Sequence, residues 1–150
     1  MEPTERIIFA LDVDSADRAL ALADRLSGHV GVFKIGLELF VSTALAGVDL
    51  VGRIGARGRV FLDLKLHDIP ATMRGAMGAA AAAGAVEFLT VHTSEGPGPL
   101  CTAVERAGAI RALGVTVLTS VGPDAMEELG YGVALTELVL MRARWAIQGG

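Results

Sequence analysis

A parallel α/β sheet curved as a (β/α)8 barrel is the fold class that this 150-residue sequence predicts, on three observations. Short β-rich apolar runs alternate five times with helical patterns, in units of roughly 25–30 residues, the rhythm of parallel strands with helical crossovers. A polar residue stands at one end of each strand in turn: Asp12, Lys34, Asp63 with Lys65, His92 and Thr119. A doubly wound open sheet gathers its ligand at one switch point, whereas a barrel brings every strand crest to a common mouth. Finally, 52% of the residues are hydrophobic and the mean hydropathy is +0.52, enough to fill the core of one domain over 1–150.

The elements follow in order. Ile7 to Asp12 reads as a buried strand, and Ser15 to Leu26 as an amphipathic helix capped by Ser15 or Asp14. Val30 to Ile35 is the second strand. A short helix near Leu37 and a longer one over Ala44–Ala56 follow it. Arg59 to Leu66 is the third strand, and Pro70 opens an Ala/Gly-rich helix to about Ala83. Phe88 to His92 is the fourth, followed by a helix over about Pro99–Ala107. Val115 to Leu118 is the fifth, with Asp124–Leu129 and Leu135–Gln148 as its helical return. A full TIM (β/α)8 barrel takes about 250 residues, about 200 at the compact end. Three further units are therefore expected outside this sequence. A bare five-strand arc would leave two apolar edges.

Composition narrows the function. The net charge is −4 and the sequence pI about 5.3, with no basic run, which argues against a nucleic-acid surface. Cys101 is the single cysteine, so no disulfide framework or Cys-based metal set is expected. A reducing cytoplasm is the plain reading, with Cys101 as a small buried hydrophobe. Glu2, Glu5 and Arg6 precede a short apolar run, which does not fit a signal peptide. The uncharged run from Gly75 to Val86 is 12 residues long, against the roughly 20 a membrane span needs.

The lysines carry the lead. Of thirteen Lys and Arg residues only Lys34 and Lys65 are lysine, and both sit in apolar strand-like runs that predict burial. A guanidinium does not give up its proton near neutrality, whereas an ammonium can. Residues two apart on a strand share a face, so Asp63 and Lys65 point together into the mouth while Leu62, Leu64 and Leu66 face the helices. Asp68 lies just beyond, before Ile69 and Pro70. Two flanking carboxylates keep the Lys65 amine charged, since opposite charges at about 4 Å interact by roughly 4 kcal/mol at an effective dielectric near 20. A charged lysine is a ready general acid. The plainer alternative is a structural ion-pair cluster that closes the core, but buried pairs are not reliably stabilising.

At these residues a resemblance appears. Asp63-Leu64-Lys65-Leu66-His67-Asp68-Ile69-Pro70-Ala71-Thr72 resembles the Asp-x-Lys-x-x-Asp-Ile-Pro-x-Thr signature of the orotidine 5′-phosphate decarboxylase family. Ala10-Leu11-Asp12, Phe33 to Phe40, Val91-His92 and Val115 to Ser120 fall in matching order, so the likeness spans nearly the whole chain. The resemblance implies a TIM barrel that dimerises with active sites shared at the interface and uses neither metal nor organic cofactor. It implies decarboxylation of orotidine 5′-phosphate to UMP, in pyrimidine biosynthesis. Lys65 would protonate C6 and Asp63 would face the departing carboxylate. Lys34 would complete a Lys34–Asp63–Lys65–Asp68 array and reach the ribose. Asp12 would bind ribose, Asp68 and Thr72 would cross to the partner subunit's ribose, Ile69 and Pro70 would line the site, and Thr119, with Ser120, would lie near the pyrimidine. The family's phosphate grip comes late in the barrel, outside this sequence, so residues 1–150 alone are expected to be nearly inactive.

Other residues read more plainly. His92 is expected as a wall residue at its strand end, His67 as structural and turned away from Lys65, and His29 as a surface loop residue. Ser94 to Gly98 reads as a turn, and the small residues from Gly75 to Gly84 permit close packing against the sheet or a second subunit. The rival with the same acid–lysine spacing is an Mg²⁺-dependent 3-keto-gulonate-phosphate decarboxylase or hexulose-phosphate synthase. It needs a further acidic ligand, for which Glu38 is the one obvious spare carboxylate. A catalytically inactive fragment or assembly module, held together by its charged array, is the rival of another class.

Overall fold

The computed structural model describes residues 2–150. A 3-10 turn at Pro3–Arg6 leads into β1 (Ile8–Ala10), α1 (Ala16–Leu26), β2 (Val32–Gly36), α2 (Leu37–Leu45), α3 (Leu50–Gly55) and β3 (Arg59–Leu66). Then come α4 (Pro70–Ala82), β4 (Val86–His92), α5 (Pro97–Val104), β5 (Arg111–Val115), α6 (Ala125–Glu128) and α7 (Leu135–Gly149). The strands form one sheet in the order β1-β2-β3-β4-β5, every pair parallel. Strand order equal to chain order, with a helix between successive strands, is the first part of a TIM (β/α)8 barrel.

Local chemistry sets the element ends. Ser15 caps α1 by accepting a hydrogen bond from the Arg18 N–H at 3.4 Å, and Asp49 caps α3 by accepting from Gly52 N–H at 2.9 Å. Pro70 and Pro97 open α4 and α5, where the missing N–H costs no helical bond. Gly84, at φ +72°, turns the chain from α4 into β4.

Register assigns the faces. Phe33, Ile35, Val60, Leu62, Leu89 and Val91 are buried with Leu20, Leu39, Ile54, Met77 and Leu100 in one core between sheet and helices. Neighbours in register on the opposite face are Ala10, Lys34, Phe61, Phe88 and Arg111. There Phe61 and Phe88 meet edge to face at 5.9 Å, and Arg111 lies 4.5 Å over the Phe88 ring. Glu87 pairs with Arg59 at 2.8 Å and Arg111 at 3.7 Å, so ion pairs and aromatic rings fill the face that looks into the barrel. Leu64 and Leu66 do lie on the helix side, where with Leu62 and the alanines of α4 they line an apolar cleft of about 340 Å³.

Three expectations need correction. After β2 the longer helix comes first, Leu37–Leu45, and the shorter second, Leu50–Gly55, because Gly47 at φ +69° breaks the pattern between them. β5 lies at Arg111–Val115 rather than at Val115–Leu118. Its Gly114 lets α7 come close, since a Cβ there would stand 2.8 Å from both Ala146 Cβ and Thr93 Cγ2. The Thr116 carbonyl is drawn off by the buried Arg142, whose Nη1 donates to it at 2.8 Å while Nη2 donates to the Tyr131 hydroxyl at 2.7 Å. Cys101, expected to be buried, is exposed on α5.

Candidate active site

β3 carries the centre of the site, and its backbone departs from a regular strand there. Leu62 pairs with Leu89 and Leu66 with Val91, so four steps along β3 are matched by two along β4. Lys65 lies inside this bulge at φ +51°, the one left-handed residue other than glycine among the described residues. That conformation costs an L-residue roughly 1–2 kcal/mol. Asp63 and Lys65 do come together, with Nζ 2.8 Å from Oδ1, but through the bulge rather than the simple alternation the spacing suggests.

The neighbouring crests complete an alternating array. Lys34 of β2 lies 3.0 Å from Asp12 Oδ1, beyond β1, and 3.9 Å from Asp63 Oδ2. The row is thus Asp12, Lys34, Asp63, Lys65, with each ammonium next to a carboxylate. Asp63 is the most enclosed acid of the row, its side chain 20% exposed. Burial raises its carboxyl, but hydrogen bonds from Lys65 and Thr90 and the charges of Lys65 and Lys34 outweigh that and hold it below the usual carboxylate range. The expected burial of the lysines holds only in part, since the Lys34 side chain is 20% exposed and that of Lys65 41%.

Asp68 does not sit beside Lys65 as spacing led us to expect. Its Oδ1 accepts the Ile69 N–H at 2.7 Å, and among the described residues it forms no ion pair. With Ile69, Pro70 and His67 it lines a shallow cleft of about 260 Å³, and Thr72 follows, exposed, in the first turn of α4. The loop is held from outside the row. His67 Nε2 lies 3.0 Å from Glu95 Oε1 and 3.1 Å from Ser94 Oγ, which ties the β3–α4 loop to the β4–α5 loop. This contact holds the Glu95 carboxyl below its ordinary range. The His92 ring stands 5.1 Å from that of His67, and burial first, then the charges of His67, Arg142 and Lys65, keep its pKa down. Thr119 is exposed in the turn after β5 and takes no part in the row.

Sequence reasoning missed Thr90. This residue of β4 is 6% exposed; its hydroxyl accepts the Lys65 N–H at 2.8 Å and donates to Asp63 Oδ1 at 3.1 Å. The signal was available: it is the polar residue in Leu89-Thr90-Val91-His92 that alternation places on the face of His92. Among the described residues no three His, Cys, Asp or Glu side chains gather as a metal-ligand set. No described helix is long and apolar enough to cross a membrane.

Comparisons with known proteins place this arrangement. The family model for the orotidine 5′-phosphate decarboxylase / HUMPS family matches residues 5–148. A curated orotidine 5′-phosphate decarboxylase from Desulfosudis oleivorans is 43% identical, covering 99% of this chain and 61% of that protein. One from Methylobacterium radiotolerans is 44% identical, covering 99% and 63%. The crystal structure of orotidine 5′-phosphate decarboxylase from Lactobacillus acidophilus superposes with a TM-score of 0.84 at 30% identity, covering 96% of this chain and 67% of that one. The chain therefore spans less than two thirds of the length of these curated relatives.

Proposed function

The chain belongs to the orotidine 5′-phosphate decarboxylase / HUMPS family, and from that premise we propose that it supplies the proton-donating half of a decarboxylase acting on orotidine 5′-phosphate to give UMP. The observation that carries this reading is the Lys65 ammonium 2.8 Å from an ionised Asp63, with Lys34 on the other side. Loss of CO₂ from C6 of the pyrimidine leaves an sp² carbanion with no conjugated sink, so fixed charge has to stabilise it. Lys65 does so and then donates its proton to C6. Asp63 faces the substrate carboxylate, lies 2.8 Å from the Lys65 ammonium, and by repulsion disfavours the bound carboxylate relative to the neutral CO₂ that leaves. Lys34 and Asp12 take the ribose hydroxyls, and Thr119 with Ser120 approaches the base.

Asp68, Ile69, Pro70 and Thr72 belong to the same reading through a second subunit. Asp68 lies apart from Lys65 within one chain, and Ile69 beside it is 67% exposed. That placement suits a loop whose residues complete the partner's site in a homodimer. The enzyme is read as cytoplasmic and as working without metal or organic cofactor. An Mg²⁺-dependent relative would need an acidic set; Glu38 lines a cavity of about 500 Å³ with Asp12 and Asp14, but these three do not gather as metal ligands.

The test is a chimera in which residues 1–150 replace the matching segment of the Desulfosudis oleivorans relative. It is expected to consume orotidylate, followed by absorbance, and to keep its rate in EDTA. Lys65→Ala should bind UMP yet lose turnover by several orders of magnitude. A folded chimera that turns over equally well without Lys65, or only with added Mg²⁺, overturns the proposal.

A further inference from the structure

We propose that Thr90 is a positioning residue for the Lys65–Asp63 pair, its hydroxyl locking the β3 bulge that aims both side chains. The bulge takes the Lys65 N–H out of the β3–β4 ladder, because the paired residues on either side are Leu62–Leu89 and Leu66–Val91. Thr90 stands opposite that gap and accepts the freed N–H at 2.8 Å. The same oxygen donates its single proton to Asp63 Oδ1 at 3.1 Å, the oxygen that Lys65 Nζ approaches at 2.8 Å. One hydroxyl thus grips Lys65 by its backbone and Asp63 by its carboxylate, and sets the distance between them.

Three features make this more than an ordinary strand contact. Thr90 is 6% exposed, so water does not readily take over either bond. Lys65 holds φ +51°, a conformation that persists only where its surroundings over-determine it. The proton on Oγ1 is committed to an ionised acceptor, which favours the charged form of Asp63. Loss of the hydroxyl removes both restraints together. Valine keeps the β-branched shape without the oxygen, and serine keeps the oxygen without the branch.

The inference rests on reading Lys65 as the acid and Asp63 as its partner, but its test needs no substrate. In the 150-residue chain the Asp63 side-chain carboxyl is followed by ¹³C NMR across pH, assigned with Asp63→Asn, and the Lys65 amide by hydrogen exchange. The wild-type amide should be protected. Thr90→Val should move the Asp63 midpoint upward and speed exchange at Lys65, and Thr90→Ser should restore both. Unchanged midpoint and exchange in a folded Thr90→Val chain refute the inference, as does a serine variant that behaves like valine. Should Thr90→Val not fold, a wild-type Lys65 amide exchanging at the open-chain rate refutes it alone. Because these signals are read without turnover, they stand or fall separately from the decarboxylase assignment.

Discussion

At Lys65 a left-handed backbone and an ion pair share one residue, and their energies do not cancel. The conformation costs roughly 1–2 kcal/mol. The ammonium is 41% exposed, and an exposed pair returns only about 0–1 kcal/mol. The deficit fits a site held for chemistry rather than for folding. Asp63 is where stability and function meet. Its carboxyl is held below the ordinary range, so the folded chain binds that proton less readily than the unfolded chain does. The stability this contributes is present above an unfolded value of about 3.9 and is lost as pH falls through the lower folded value. Asp63→Asn removes the contribution. Urea unfolding should therefore show a gap between wild type and Asp63→Asn at pH 7 that narrows toward pH 3. A gap that stays constant or widens in acid would mean that Asp63 carries no such linkage.

At the scale of elements, legibility tracks how much of an element's position is written locally. β3 at Arg59–Leu66 and the start of α4 at Pro70 were readable because an alternating apolar run and a helix-opening proline lie inside them. β5 was not. Val115–Leu118 is the more β-like run, yet the strand forms over Arg111–Val115, where Gly114 admits α7 and Arg142 captures the Thr116 carbonyl. Both are long-range contacts with α7 that no local pattern contains. The bulge at Lys65 was hidden for the same reason, since a shift in β3–β4 register leaves no trace in β3 alone, whereas alternation did place Thr90 on the face of His92. Two glycine substitutions test this account. Gly114→Ala places a methyl 2.8 Å from Ala146 and Thr93 and should cost about 1–3 kcal/mol through overpacking. Gly75→Ala, inside α4 with nothing within 4 Å, should stabilise by about 0.5–1 kcal/mol. Equilibrium unfolding reads both, and equal signs would contradict the packing argument.

At the scale of the whole molecule, the proposed function divides the charged row and the energy that would drive it between different parts of a barrel. Residues 1–150 bring Asp12, Lys34, Asp63 and Lys65 to one crest, while the chain spans only 61–65% of the length of two curated relatives. Phosphate sites in such barrels are built after strands 7–8. Binding energy from a remote group such as phosphate can be realised at the reacting centre, so on the proposed function a piece without that grip would keep the proposed acid and lose the drive. Loss of only about 4 kcal/mol of that energy lowers kcat/KM about a thousandfold. The five-strand sheet also ends on β1 and β5, where Ile8 is 47% exposed and Leu113 37% exposed, edges that further strands would cover. Residues 1–150 expressed alone should therefore convert orotidylate at least about a thousandfold more slowly than the chimera described above, with the Lys65–Asp63 pair unchanged by NMR. Turnover approaching that of the chimera would mean that the crest chemistry of the first five strands suffices and that phosphate binding energy is not what drives the reaction.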